Sequence, residues 1–237
     1  MQPDPPTRSV FAFEAPVRVW HWLNVLCLVV LAVTGFLIGD PPASVGGEAS
    51  DSFLFGTIRF VHFVAAFVFT IAFLMRLYWA LVGNQYAREI FYLPVWRASF
   101  WASVWHELRW YAFASKEPKL YVGHNPLARI TMFLMVTVAT LFMIVTGFAL
   151  YAEGQGAESW YFSLFGWVFS VWPNSQDIHS WHHLGMWALI TFAILHVYVV
   201  IREGLLSDQS TFSVMWSGFR FFKKGQPSEG SPADPAE

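Results

Sequence analysis

Residues 182–196 read HHLGMWALITFAILH, an apolar helical stretch with histidines at its two ends. At about 100° of rotation per residue, the fourteen steps from His182 to His196 fall only about 40° short of four turns, so the two imidazoles share a face. At about 1.5 Å of rise per residue they stand ~21 Å apart along the axis, most of a hydrocarbon core of roughly 30 Å. One histidine is therefore expected near each membrane surface. The neighbours fit less well: His183 is about 140° out of phase with His196, and His179 about 100°. His182 is the better partner and His183 its serious rival.

Composition agrees with a membrane chain. Of 237 residues, 56% are hydrophobic and 13% charged, with 24 Phe and 13 Trp, which leaves too little charged surface to coat a soluble globule. The net charge of -2 points to no nucleic-acid partner. The single Cys27 lies inside an apolar run and forms neither an internal disulfide nor a C-x-x-C-H haem attachment, so any haem is non-covalent. Residues 1–18 carry prolines and acids and do not resemble a signal peptide. The first apolar run is too long for a cleaved one and is expected to stay as a span.

Four segments approach the ~20 apolar residues of a spanning helix: about 19–39, 60–82, 127–151 and 181–201. Asn125 and Pro126 supply an N-cap and a first helical residue for the third. A fifth apolar run, residues 157–172, is short, holds Gly166 and is crowded with aromatics, which reads as an interfacial helix. Charge supports four spans. The termini and the loop over 83–126 hold Arg8, Arg18, Arg88, Arg97, Arg109, Lys116, Lys119, Arg202, Arg220, Lys223 and Lys224, whereas the opposite loops hold Arg59 alone. By the positive-inside rule both termini are cytoplasmic. Within the basic loop, Phe100, Val104, Leu108 and Tyr111 recur at helical spacing, as in an amphipathic helix on the membrane surface. No internal repeat and no second folded domain is visible, so residues 1–237 form one membrane domain. The polar, proline-rich tail over 225–237 is expected to be disordered.

This topology brings four histidines to two depths. His21 begins the first span on the cytoplasmic side, and His62 begins the second on the far side. His182 and His196 then lie at the far and cytoplasmic ends of the fourth. His21 pairs with His196 and His62 with His182, and each pair can grip one iron from opposite faces of a porphyrin. The stride of fourteen recurs. Added to His21 it gives Gly35, where a macrocycle can approach the backbone or helices can pack closely. Added to His62 it gives Arg76, a counter-ion for a haem propionate or a side chain snorkelling to headgroups. His124, before the third span, is a loop or capping residue or a proton handler at a quinone site. Tyr198, Arg202 and Glu203 offer donors to quinone oxygens at the same boundary, or simply end a helix in charge.

From residue 11 to 224 the chain also carries, in order, FEAPVRVWHW, VTGFLIGDPP, NQYAREIFYLP, GHNPLA, TGFALYAEG and HHLGMW followed by HVYVVIRE. In these motifs it resembles the b-type cytochrome subunit that anchors membrane-bound [NiFe] hydrogenases. The resemblance implies an all-α transmembrane four-helix bundle in a bacterial inner membrane, with two non-covalent b haems on His21, His62, His182 and His196. Its implied partners are the small and large hydrogenase subunits, membrane lipid and a quinone. Electrons from hydrogen would enter through the iron-sulfur small subunit, pass both haems and reduce the quinone. No hydrogen-activating site is implied in this chain. The haem scheme is similar to that of formate dehydrogenase membrane subunits. A stand-alone cytochrome b561 quinone oxidoreductase, or an anchor for a formate or thiosulfate enzyme, is the alternative.

Overall fold

In a computed structural model of the chain, residues 7–41, 53–115, 119–206 and 212–223 are described. The fold is all-α in substance. Four helices are long and apolar enough to cross a membrane: α1 (Ala15–Gly39), α2 (Leu54–Val82), α4 (Pro126–Gln155) and α7 (Ser175–Leu206). Only 11% to 22% of each one's most apolar window is buried by protein, so most of their hydrophobic side chains need another apolar medium. The helices outrun the expected spans because polar residues at the ends continue the hydrogen-bonded ladder beyond the apolar window. α3 (Ala98–Tyr111), α5 (Trp160–Phe165), α6 (Val168–Val171) and α8 (Val214–Ser217) are short, and β1 (Thr7–Phe11) pairs with β2 (Phe219–Lys223). The tail over 225–237 lies outside the described residues.

The chain forms two compact units, and each long helix contributes to both. The first comprises Met1–His21, Arg76–Thr137 and Ile194–Glu237. Here β1 and β2 run antiparallel, with Thr7 opposite Lys223 and Phe11 opposite Phe219. Phe13, Val17, Tyr86, Val122, Val214 and Phe222 form its core. Glu14 fastens the turn after α2, its Oε2 accepting from Trp79 Nε1 and from the Asn84 amide, both at 2.9 Å. Asn125 caps α4 as expected, accepting the Ala128 amide at 2.7 Å with Pro126 in the first turn.

α3 corrects one expectation. Its buried stripe is Phe100, Val104, Glu107 and Trp110, while Leu108 is exposed beside Trp101 and Trp105. Glu107 lies within about 20° of Phe100 in helical phase and Leu108 about 80° away, so rotation sets the stripe and apolarity does not. The outward row of Trp101, Trp105 and Leu108 suits a membrane interface.

The second unit comprises Trp22–Met75 and Val138–Ala193. Ala149, Val168 and Ile178 are its fully buried centre, with Phe165, Phe169 and Trp172 packed around them. The aromatic run expected as one interfacial helix is two, α5 and α6, broken at Gly166. Neither is long enough to span.

α7 is α-helical throughout, so the phase arithmetic linking His182 to His196 holds. Irregularity falls instead in α4, where Phe133–Ala139 is π-helical. Such segments often sit at functional sites.

Candidate functional site

In the second unit, His62 of α2 and His182 of α7 line one cavity of about 860 Å³, with Phe63, Phe67, Phe148 and Tyr151 among its walls. That volume is within the roughly 300–1,000 Å³ typical of cofactor pockets. The two imidazoles are held alike. His62 Nδ1 lies 2.8 Å from Thr34 Oγ1, and His182 Nδ1 lies 2.8 Å from Thr146 Oγ1. Each threonine has already committed its own proton, Thr34 to the Val30 carbonyl at 2.6 Å and Thr146 to the Phe142 carbonyl at 2.7 Å. The hydroxyl oxygens therefore accept, Nδ1 of each ring donates, and Nε2 keeps its lone pair. This tautomer leaves Nε2 able to ligate a metal.

Glycine follows each threonine. A Cβ at Gly35 would stand 3.4 Å from His62 Cε1, and one at Gly147 would stand 3.0 Å from His182 Cε1. The missing side chain at Gly147 lets the His182 imidazole lie close against α4, whereas a Cβ at Gly35 would meet His62 at ordinary contact distance. His183 also lines the cavity, but its ring rests on Gly39, where a Cβ would come within 2.9 Å, and beside Trp187 at 6.3 Å between ring centres. His179 turns its Nδ1 to the Ser175 carbonyl at 3.1 Å.

In the first unit, His21 of α1 and His196 of α7 face one another with ring centres 6.4 Å apart and planes at 54°. Metal–imidazole bonds are about 2.0–2.1 Å and a ring nitrogen is about 1.1 Å from its ring centre, so imidazoles on opposite sides of one metal have centres about 6.3 Å apart. The observed separation fits one metal between them. Arg76 is buried beside this pair's helices, so it does not snorkel. Its Nη2 donates to the Ala87 carbonyl, and its guanidinium lies 5.4 Å from the Trp20 ring and 5.1 Å from that of Phe91. Among the described residues its Nε and Nη1, like Trp20 Nε1, are buried without a hydrogen-bond partner. Buried guanidinium donors left open in this way are available to an acid group.

Among the described residues, no three His, Cys, Asp or Glu side chains are arranged to hold a bare ion. Each site offers two imidazoles, the number a porphyrin's four nitrogens leave for protein ligands on a six-coordinate iron.

A separate polar cluster in the first unit surrounds His124. Glu89 Oε2 accepts both from the His124 amide at 2.8 Å and from its ring Nδ1 at 3.0 Å. The carboxylate comes so close because residue 123 is glycine, where a Cβ would lie 2.3 Å from the Glu89 oxygens. Arg220 of β2 donates to the carbonyls of Tyr121, Val122 and Gly123 and so fixes this loop. Burial draws Arg220 down to about 10, partly offset by Glu89, and it stays charged at neutral pH. His124 is near enough to interact electrostatically with both His21 and His196.

A model of one protein family, described as prokaryotic cytochrome b561, matches residues 12–218, which include both histidine pairs. The chain belongs to that family. It is 58% identical to the probable Ni/Fe-hydrogenase B-type cytochrome subunit of Bradyrhizobium diazoefficiens, over 91% of this chain and 87% of the relative. The like-named protein of Cupriavidus necator is 54% identical, over 91% and 88%. The probable Ni/Fe-hydrogenase 1 B-type cytochrome subunit of Escherichia coli K12 is 51% identical, over 93% and 94%. A b-type cytochrome carries haem b, and the paired imidazoles with their glycine gaps and open arginine donors fit that group.

In this cytochrome the expected quinone set separates. His124 stands with Glu89. Arg202 is buried in a cage of Trp110, Tyr111 and Phe113, with its guanidinium 4.8 to 5.2 Å from their ring centres, and it donates to the Trp110 carbonyl at 3.0 Å. Glu203 accepts from Arg202 at 3.0 Å and from Trp110 Nε1 at 2.9 Å. Both therefore tie α7 to α3. Tyr198 is 58% exposed on the outer face of α7. Tyr111 joins the two groups, its hydroxyl accepting from Asn125 at 3.1 Å. Burial and the Glu203 carboxylate raise Tyr111 above the ordinary phenol range, so it stays protonated. Sequence reading missed Thr34, Thr146, Gly147 and Glu89. A signal for the first three was present, because VTGF occurs at both 33–36 and 145–148.

Proposed function

We propose that this chain is a di-haem membrane subunit that carries electrons from an extracytoplasmic [NiFe] hydrogenase to a membrane quinone. The observation that carries the reading is the pair His21 and His196 at 6.4 Å, matched in the other unit by His62 and His182 on one cavity. When bound, haem would supply the one-electron iron couple at each pair. The protein's part is to hold and tune. The four imidazoles would hold the two irons, Thr34 and Thr146 keep Nδ1 of His62 and His182 protonated, Gly147 leaves room, and Arg76 would offer its open donors to a propionate.

His124 and Glu89 form the protonating pair of a quinone site. The carboxylate holds Nδ1 and so orients the ring, and the ring's other nitrogen can exchange a proton with a quinone oxygen. The excess of basic residues in the termini and the 83–126 loop supports a cytoplasmic location for this end, in a bacterial inner membrane. The relatives' names support a Ni/Fe-hydrogenase as the partner, and its small and large subunits complete the proposed assembly.

The family description favours one other reading, a stand-alone b561-type quinone oxidoreductase. Purification from native membranes decides between them. The proposal requires a co-purifying hydrogenase, about two haems per chain by pyridine haemochrome, and hydrogen-dependent quinone reduction. A chain isolated without hydrogenase that still exchanges electrons with quinol supports the alternative.

A further inference from the structure

Within the first unit, Arg88, Arg97 and Arg129 line one cavity of about 410 Å³, together with Gln85, Glu89 and Tyr92. The three arginines come from different elements: the loop after α2, the residue capping α3, and the first turn of α4. Arg129 Nη2 donates to the Tyr92 carbonyl at 2.8 Å, while its Nε is buried without a hydrogen-bond partner among the described residues. Among the described residues Arg88 reaches only the Gly83 carbonyl, at 3.4 Å. Among the described residues the Arg97 side chain makes no hydrogen bond or ion pair. The lining's carboxylate, Glu89, is already engaged by His124 on two counts and interacts with Arg220.

Three guanidiniums with no carboxylate of their own repel one another, more strongly as the surroundings become less polar. Convergence on one cavity is favourable when an anion enters it. The surroundings indicate which kind. Tyr92 and Trp96 are exposed beside the cavity, and Trp101, on the outward row of α3, donates its Nε1 to the Val95 carbonyl at 2.8 Å. Aromatics of this type sit at headgroup depth, and the loop belongs to the basic side of the chain. We infer that this cavity binds the phosphate of an anionic phospholipid, with the arginine forks on its oxygens and the acyl chains along the exposed aromatic row. Basic pockets beside spanning helices take such headgroups.

The test uses the full chain, isolated with its partner subunits in detergent, and native mass spectrometry with cardiolipin, phosphatidylglycerol and phosphatidylcholine added in turn. The expected result is retention of anionic lipid over phosphatidylcholine. Arg97→Gln should weaken retention about fivefold, and Arg97→Gln with Arg129→Gln about thirtyfold, from roughly one surface-charge equivalent apiece. Arg97 has no side-chain partner among the described residues, so its single variant should fold normally, with unchanged haem content as the check. Arg97→Lys should restore most of the binding, and Arg109→Gln, a basic residue of α3 outside the cavity, should leave it intact. Equal retention of phosphatidylcholine, unchanged binding in the Arg97 and Arg129 variants, or displacement of the lipid by millimolar inorganic phosphate would each overturn the assignment. The last would make it a free-phosphate site.

Discussion

Replacing Thr146 by valine preserves side-chain shape and removes only the oxygen that holds His182 Nδ1 at 2.8 Å. A hydrogen bond of this kind contributes about 0.5–1.5 kcal/mol net. Donation from Nδ1 enriches the opposite nitrogen and makes the imidazole a more basic ligand, which favours ferric iron. Loss of the bond should therefore raise the midpoint potential. If its whole strength differed between oxidation states, the shift would be about 20–65 mV, at 59 mV per tenfold for a one-electron couple. Potentiometric titration of the purified complex, followed at the haem α-band, measures this directly. One of two components should move upward by a few tens of millivolts while the other stays. Thr34→Val should move the same component by a similar amount, because Thr34 holds the opposite imidazole, His62, at the same distance. Thr146→Ser, which keeps the hydroxyl, should titrate like the parent. A downward shift, movement of the other component, or equal shifts in the serine and valine variants would refute the role given to the threonines.

Haem content should be close to two per chain, low-spin in the electron paramagnetic spectrum; a value of one removes one of the two pairings. His182→Ala should lose one haem and His183→Ala neither, since the His183 ring is seated on Gly39; the reverse outcome in haem analysis would show that His183 is the ligand. Arg76→Gln should retain haem but lower the potential of the His21/His196 component by tens of millivolts, as a buried positive charge is lost beside it; an upward shift contradicts the propionate contact. His124→Ala and Glu89→Gln should leave both haems reducible by hydrogen and slow quinone reduction about tenfold or more. Unchanged hydrogen-to-quinone turnover in both variants sinks the quinone assignment.

The long helices were legible because a spanning helix must be apolar over its whole length, which hydropathy records directly. The His21–His196 contact was legible for a narrower reason. α7 is unbroken between His182 and His196, so a phase sum over fourteen residues keeps its meaning. The threonines were not, because a threonine in an apolar run is ordinary and its role depends on a histidine 28 or 36 residues away. Glu89 was hidden similarly, 35 residues from His124 on an irregular loop, and only the Gly123 backbone explains how it gets there. The pairing of β1 with β2 joins the two ends of the chain through five-residue strands, too short to carry a periodic signal. The π-helical turn of α4 has no sequence period to betray it.

What separates two kinds of histidine here is the group on Nδ1. For His62 and His182 the acceptor is a threonine hydroxyl whose own proton is committed to a carbonyl four residues back. It costs no buried charge in a low-dielectric region, and it fixes the tautomer while leaving the imidazole neutral, as a ligand must be. On the loop before α4 the acceptor is the Glu89 carboxylate, held against His124 by Gly123 and set opposite buried Arg220. A carboxylate in contact with an imidazole is a pair that can pass a proton, which suits proton delivery. Exchanging the two acceptors should therefore exchange the functions. Glu89→Gln leaves His124 hydrogen-bonded but without its anion, so quinone reduction should slow with haem content unaltered. If turnover stayed where it was, the proton would be coming from a different group.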